Sequence, residues 1–328
     1  MEKTVKIFRQ DLSEYLNKEI ETCFLVTDKE LRESKNGNYL RLRLSDKTGN
    51  IMGNVWNNAV SIADKFESGD IILLKGTIIS YRDQLQITVQ KARKVQDWEI
   101  DITDFILATE KDIHKLNERL FFLIDSVTNE SLNELLKSIF EDKEFLVNFS
   151  QAPAAKSWHH NYLGGLLEHT ISVANLCEFS SHYYNVDRDL IITGALLHDM
   201  GKVEEYTAPP AINFTDMGRL IGHIIIADQI ITSKAQLINN FPAELLMKLR
   251  HLILSHHGEY EKGSARLPQI LEAVILHHCD NLDAQATGVS QVIESSAGKS
   301  GNWSEFDKLN SKYYYTGITR KNKTKCFR

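Results

Sequence analysis

The hydrophobic pattern of this 328-residue chain changes period once, near residue 100, and that switch limits what the chain can fold into. Up to about Trp98 apolar and polar residues alternate, as on half-buried strands. After about Ile102 the apolar residues recur at helical spacing almost to the end. In the first part Tyr39-Leu40-Arg41-Leu42-Arg43-Leu44 alternates strictly, Asp46 to Asn50 supplies a turn, and Ile51 to Trp56 alternates again, which predicts a hairpin. An opening strand near Glu19 to Val26, a short helix over Ala59 to Phe66, and strands over Ile71 to Ile79 and Leu85 to Val95 complete the set. The expected fold class is therefore multidomain, with an N-terminal all-β barrel followed by an all-α domain.

Within the helical part, five helix-like stretches each carry a metal-binding side chain on an apolar stripe: His169, the pair His198 and Asp199, His223, the pair His256 and His257, and Asp280. His169 shares its stripe with Leu166, Val173 and Leu176. His223 aligns with Leu220, Ala227 and Ile230, His256 follows Leu245, Leu249 and Leu252, and Asp280 follows Ile270, Ala273 and His277. Imidazoles and carboxylates are costly to bury unpaired, so their recurrence on core-facing stripes predicts that they converge on metal ions. Adjacent helical residues project about 100 degrees apart, so His198 and Asp199 can address one centre from two sides while the two oxygens of Asp199 reach two ions. Mixed imidazole and carboxylate donors without thiolate suit Mn²⁺, Fe²⁺, Co²⁺ or Zn²⁺ rather than Ca²⁺. Two such ions side by side would clamp a phosphoryl group for in-line attack.

The remaining composition narrows the function classes. The opening residues hold no apolar segment of signal-peptide length, and the strongest apolar run, Leu190 to Leu197, is too short to span a bilayer, so the expected setting is cytoplasmic with no membrane partner. Cys23, Cys177, Cys279 and Cys326 form no C-x-x-C pair, which argues against a disulfide framework or a zinc ribbon. A formal net charge of −6 excludes coating nucleic acid by bulk charge, so any such contact is local. The segment from Lys308 onward carries seven basic residues and no acidic one; it reads equally as a phosphate-contacting tail or a solvated end. These features divide the chain into 1–98, a helical connector 99–155 read as packing or spacing, a metal domain 156–298 and a basic tail 299–328.

The five-strand order with its helix, together with the stretch "DKTGNIMGNVW", resembles the nucleic-acid-binding OB-fold domains over roughly the first hundred residues. The order H...HD...H...HH...D, with "LLHDMGK", "SHHG" and "HHCDNLDA", resembles the HD superfamily of metal-dependent phosphohydrolases. More narrowly, "AAKSWHHNYLGGLLEHT" followed by "GALLHDMGK" behind an OB domain resembles the YhaM-type 3′-to-5′ exoribonucleases. That resemblance implies His169, His198, Asp199 and Asp280 around one metal, and His223, His256 and His257 with Asp199 at another, with Mn²⁺ as the activating ion. It also implies cleavage from the 3′ end to nucleoside 5′-monophosphates. Asp199, Lys202 and His160 are the candidate catalytic residues, Lys202 to neutralise a phosphate oxygen and His160 to contact substrate phosphate or act as general acid. The competing reading is that Lys202 caps the C-terminal end of its helix. His159, His277 and His278 fall outside the ligand pattern and are read as packing or supporting groups. Gly165 stands where some cyclic-dinucleotide phosphodiesterases carry a Glu for a third metal, and Gly258-Glu259-Tyr260 replaces their GYP signature, which disfavours that branch.

Strand alternation points Leu40, Leu42 and Leu44 inward and Tyr39, Arg41, Arg43, Asn54 and Trp56 outward, a surface suited to stacking bases and meeting a phosphate backbone. The competing reading packs Trp56 beneath the following helix. The leading expectation is a metal-dependent 3′-to-5′ exonuclease of single-stranded RNA, with single-stranded DNA as a second substrate. Its rivals are an HD phosphohydrolase of a free nucleotide with a regulatory OB domain, and a non-catalytic DNA- or RNA-binding factor.

Overall fold

The computed structural model describes residues 6–34, 37–82, 84–156, 158–207, 212–296, 301–307 and 309–317. The chain divides into two compact units, Met1–Glu110 with Val203–Leu220, and Lys111–Lys202 with Ile221–Arg328.

In the first unit β1 (Glu19–Ser34), β2 (Gly37–Asp46), β3 (Gly49–Val55), β4 (Ile71–Tyr81) and β5 (Gln84–Lys94) close a barrel in the order β1-β2-β3-β5-β4. A parallel pairing between β3 and β5 joins Met52, Gly53 and Asn54 to Gln86, Ile87 and Thr88. The short helix α1 (Ala59–Ala63) lies between β3 and β4. Alternation sets the interior: Leu40, Leu42 and Leu44 meet Ile72, Leu74, Ile78 and Ile87 in one core, all fully buried. Each such side chain contributes about 1.5 to 3 kcal/mol relative to an exposed one. The expected hairpin turn forms because Asp46 Oδ1 accepts from the Thr48 backbone N–H at 2.8 Å and its hydroxyl at 2.6 Å, after which Gly49 takes a positive φ of 139°.

One strand is longer than expected. β1 continues past Val26 to Ser34, bending at a bulge between Val26 and Asp28 and then pairing with the first half of β2. That extension has no buried face, Leu31 being exposed, so the hydrophobic pattern could not announce it; backbone pairing holds it, with Lys29 Nζ donating to the Ala63 and Phe66 carbonyls.

The second unit is helical. α2 (Ile113–Asp125), α3 (Glu130–Phe140) and α4 (Lys143–Gln151) each begin at a residue, Asp112, Asn129 or Asp142, whose side chain accepts a first-turn N–H. Leu120, Leu132, Leu135, Phe140 and Phe149 are fully buried, so the expected connector is packed core. α5 (Gly165–Ser181) and α6 (Arg188–Leu197) follow; next come α7 (Lys202–Glu205) and α8 (Asp216–Leu220), which apart from Lys202 belong to the first unit, and then α9 (His223–Ala235), again in the second. α10 (Ala243–Ser255) and the long α11 (Leu271–Ser295) complete the order. α6 is buried from Leu190 to Leu197. α5 packs on both α6 and α11, and α10 on α6, α9 and α11, which gathers the helices that carry the candidate ligands.

Among the described residues no helix is long and apolar enough to cross a membrane. Cys23, Cys177 and Cys279 are buried free thiols. Most of the basic segment, including Lys308 and residues 318–328, lies outside the described residues.

Candidate metal centre

The second unit brings together all seven side chains expected to converge. α5 supplies His169 one turn from its start, and α6 ends at Leu197 with His198 and Asp199 immediately beyond. His223 opens α9, His256 caps the end of α10 with His257 after it, and Asp280 lies within α11. His169, His198 and His256 have no solvent exposure and Asp199 only 2%.

The donors fall into two groups. In the first, the facing atoms of His169, His198 and Asp280 lie within 4.8 Å of one another, and in the second so do those of Asp199, His223, His256 and His257. Asp199 faces both. Its Oδ2 stands 3.4 Å from His169 Nε2 and 3.3 Å from His198 Nε2, and its Oδ1 stands 3.4 Å from His223 Nε2 and 3.6 Å from His256 Nε2. His169 Nε2 is also 3.2 Å from Asp280 Oδ1 and 3.2 Å from His198 Nε2. Separations of this size suit donors that each lie about 2 Å from a shared cation.

Tautomers can be read from the other ring nitrogens. Nδ1 of His198 meets the Ala195 carbonyl at 2.8 Å, that of His256 the Ile253 carbonyl at 2.7 Å, and that of His257 the Lys262 carbonyl at 2.7 Å. A carbonyl only accepts, so each Nδ1 carries the proton and each Nε2 keeps its lone pair. His169 does the same through Asp283, whose carboxylate lies 2.7 Å from its Nδ1. The Nε2 of His256 and Oδ1 of Asp199 are buried without a hydrogen bond. Leaving such atoms bare costs about 1 to 3 kcal/mol each, and a divalent cation between them offsets that cost. The donor set therefore fits divalent metal ions.

Charge follows the same logic. Burial works against ionising Asp199, yet Lys202 and the imidazoles of His198 and His169 outweigh it and hold the carboxyl well below the ordinary range. Lys202 Nζ donates to Asp199 Oδ2 at 2.6 Å. Asp280 is likewise lowered, burial again opposing and His169 and His198 prevailing. Burial also opposes charge on His169, but Asp199, Asp280 and Asp283 raise its proton affinity well above the usual histidine value. His257 is pushed down to about 3 by burial and then by His256 and His223, which keeps its ring neutral. Positive charge is thus favoured on His169, where the carboxylates meet, whereas burial lowers His256 and His257.

Several expectations need correction. Leu220 does not share a stripe with His223: α8 ends at Leu220, Gly222 intervenes with a φ of 79°, and Leu220 is 83% exposed. His160 is 2% exposed, with Nδ1 2.9 Å from the Tyr162 hydroxyl and Nε2 2.9 Å from Asp283. Both ring nitrogens are engaged, so His160 is held as a brace rather than offered to a phosphate. Lys202 opens α7 instead of closing a helix, and its ammonium is held by Asp199. His159 is nearer the centre than expected: its ligand atom lies within 4.8 Å of those of His160 and His169, and burial, followed by His169 and Lys202, lowers it to about 3. His277 is a supporting group, its Nδ1 donating to the His256 carbonyl at 2.8 Å, whereas His278 is exposed. The residue that sequence reasoning passed over is Asp283. Its signal was present in "HHCDNLDA", three residues beyond Asp280 and therefore on the same helical face.

On the barrel, Trp56 follows β3, is 52% exposed and stacks on Tyr39, ring centroids 4.9 Å apart and planes inclined 21°. It does not pack beneath α1. Arg43 is exposed, Arg41 half-buried, and Asn54 donates to Gln86 Oε1 at 3.1 Å. Arg41 pairs with Asn54 across β2 and β3, so the five candidates share one region of the sheet.

Residues 166–285 match the HD domain family, and residues 25–95 match the OB-fold nucleic acid binding domain family. The chain is similar to the 3′-5′ exoribonuclease YhaM of Bacillus velezensis (strain DSM 23117 / BGSC 10A6 / LMG 26770 / FZB42), with 30% identity over 282 residues, covering 85% of this chain and 89% of the relative. It is also similar to the 3′-5′ exoribonuclease YhaM of Bacillus subtilis (strain 168), with 32% identity over 258 residues and coverage of 78% and 81%. Among solved structures, the second OB-fold domain of replication protein A from Methanococcus maripaludis covers 26% of this chain and 93% of its own at 25% identity, with a TM-score of 0.22.

Proposed function

Because the chain belongs to the YhaM family of 3′-5′ exoribonucleases, we propose that it shortens single-stranded RNA from the 3′ end with Mn²⁺ ions held by His169, His198, Asp199, His223, His256, His257 and Asp280. The products are nucleoside 5′-monophosphates, single-stranded DNA is a secondary substrate, and the setting is the cytoplasm. The observation that carries this reading is the division of Asp199, one oxygen toward each group of donors.

Bound divalent ions supply positive charge at the phosphodiester and acidify water at neutral pH. The protein's own groups prepare that chemistry. Lys202 holds Oδ2 of Asp199 and so fixes the plane of the carboxylate, which keeps Oδ1 toward His223 and His256. The backbone carbonyls of Ala195, Ile253 and Lys262 orient His198, His256 and His257 before any substrate arrives. Burial of these donors excludes bulk water and strengthens their electrostatic effect on a phosphate. The Tyr39 and Trp56 rings and the arginines beside them offer bases and backbone a sequence-tolerant hold, which a polymer substrate needs and a free nucleotide does not.

Incubating 5′-labelled single-stranded RNA with the full chain and Mn²⁺ tests the proposal. The expected outcome is a descending ladder with released 5′-monophosphates, abolished in Asp199→Ala. Undiminished RNA alongside hydrolysis of free nucleotides would select the nucleotide phosphohydrolase instead.

A further inference from the structure

We propose that Asp283 is a positioning residue that tunes only the metal site built on His169, His198 and Asp280. The inference rests on the metal-dependent reading above and extends it to a residue outside the ligand set.

The geometry is a matched pair of i, i+3 steps on two packed helices. α5 presents His169 and Ser172, α11 presents Asp280 and Asp283, and the two helices lie directly against each other. Asp280 Oδ1 meets His169 Nε2 at 3.2 Å, while Asp283 Oδ2 meets His169 Nδ1 at 2.7 Å, so the two carboxylates grip opposite nitrogens of one ring. Ser172 donates to Asp283 Oδ1, which fixes the carboxylate that fixes the imidazole.

Asp283 also binds the segment ahead of α5. Its Oδ2 accepts from His160 Nε2 at 2.9 Å, and the His160 carbonyl lies where a Cβ on Gly165 would be, 2.0 Å away. A single buried oxygen therefore ties α11 to His160 and to His169 at once.

An ionised carboxylate can only accept, so it forces the Nδ1–H form of His169 and directs the Nε2 lone pair to the metal side. It also increases the basicity of that lone pair. The second group, Asp199, His223, His256 and His257, is oriented by backbone carbonyls and has no such carboxylate at His256 or His257. The two sites thus differ in kind, and Asp283 acts on one of them.

The test is equilibrium dialysis of the full chain against Mn²⁺, with bound ions counted and no RNA present. Asp283→Asn, which keeps shape and removes charge, is expected to weaken one of two uptake steps by about 10- to 100-fold and leave the other unchanged. Ser172→Ala, a milder change, is expected to weaken the same step by about two- to tenfold. Thermal melting accompanies both variants, and if Asp283→Asn fails to fold, Ser172→Ala decides. Two unchanged steps overturn the proposal, as does an equal loss at both, which would mark general loosening of the helices. Parent protein that binds two ions but leaves RNA intact would sink the exonuclease reading and leave this one standing; parent protein that binds none would sink both.

Discussion

Replacing Gly201 by alanine should damage the centre without touching a ligand. Gly201 belongs to the turn between Asp199 and α7, where a Cβ would lie 2.1 Å from the His223 carbonyl oxygen, 2.9 Å from its carbon and 3.0 Å from the Ala227 nitrogen. All three atoms are backbone, so no rotamer change relieves the clash, and α9 must retreat by roughly 1 Å to restore ordinary contact. His223 is the first residue of α9, so its Nε2 retreats from Asp199 Oδ1, now 3.4 Å away. Metal–donor distances tolerate only about 0.2 Å, so one site loses a ligand. A misplacement of that size lowers catalysis by about 10²-fold, and the overpacking costs about 1 to 3 kcal/mol of stability. The informative control is Gly194→Ala, whose Cβ meets Leu252 Cδ2 at 2.4 Å, the tip of a side chain rather than backbone. Single-turnover cleavage of labelled RNA, read beside urea melts, separates the two effects. Parent-like cleavage by Gly201→Ala would refute the claim that the turn and α9 are rigidly apposed.

Two further outcomes follow from the barrel. Trp56→Ala removes one ring of the exposed stacked pair and should raise the dissociation constant for a single-stranded oligonucleotide by about 5- to 150-fold, read by fluorescence anisotropy; unchanged binding would remove Trp56 from the interface. Glu99 is held at a pKa of about 2 by a two-pronged pairing with Arg93 and by the Gln96 backbone N–H. A carboxyl depressed on folding stabilises fully above its unfolded value, near 4.5, and loses that contribution as pH falls toward 2. Glu99→Gln should therefore lower the urea midpoint at pH 7 and differ less from the parent at pH 3; a gap that persists or widens in acid would contradict the pairing.

The order of histidines and aspartates was legible because each ligand sits on, or directly at the end of, a helix with an apolar stripe, a property of spacing along a single element. Leu40, Leu42 and Leu44 announced the barrel for the same reason, since strand alternation is local. The pattern misleads where the helix breaks: α8 ends at Leu220, Gly222 precedes α9, and a stripe drawn from Leu220 to His223 has no helix to lie on. The outer half of β1 escaped notice because pairing without a buried face leaves no periodic trace.

His160 and Asp283 mark what spacing could not reach. Both occur in motifs readable from the chain, yet that His160 would spend its two nitrogens on Tyr162 and Asp283, and that one carboxylate would hold two histidines, depends on the register between α5 and α11. Sequence determined which faces carry chemistry, because side-chain direction repeats with the backbone of each element. Tertiary structure decided which of those donors meet, because hydrogen bonds between helices form only at separations that packing sets.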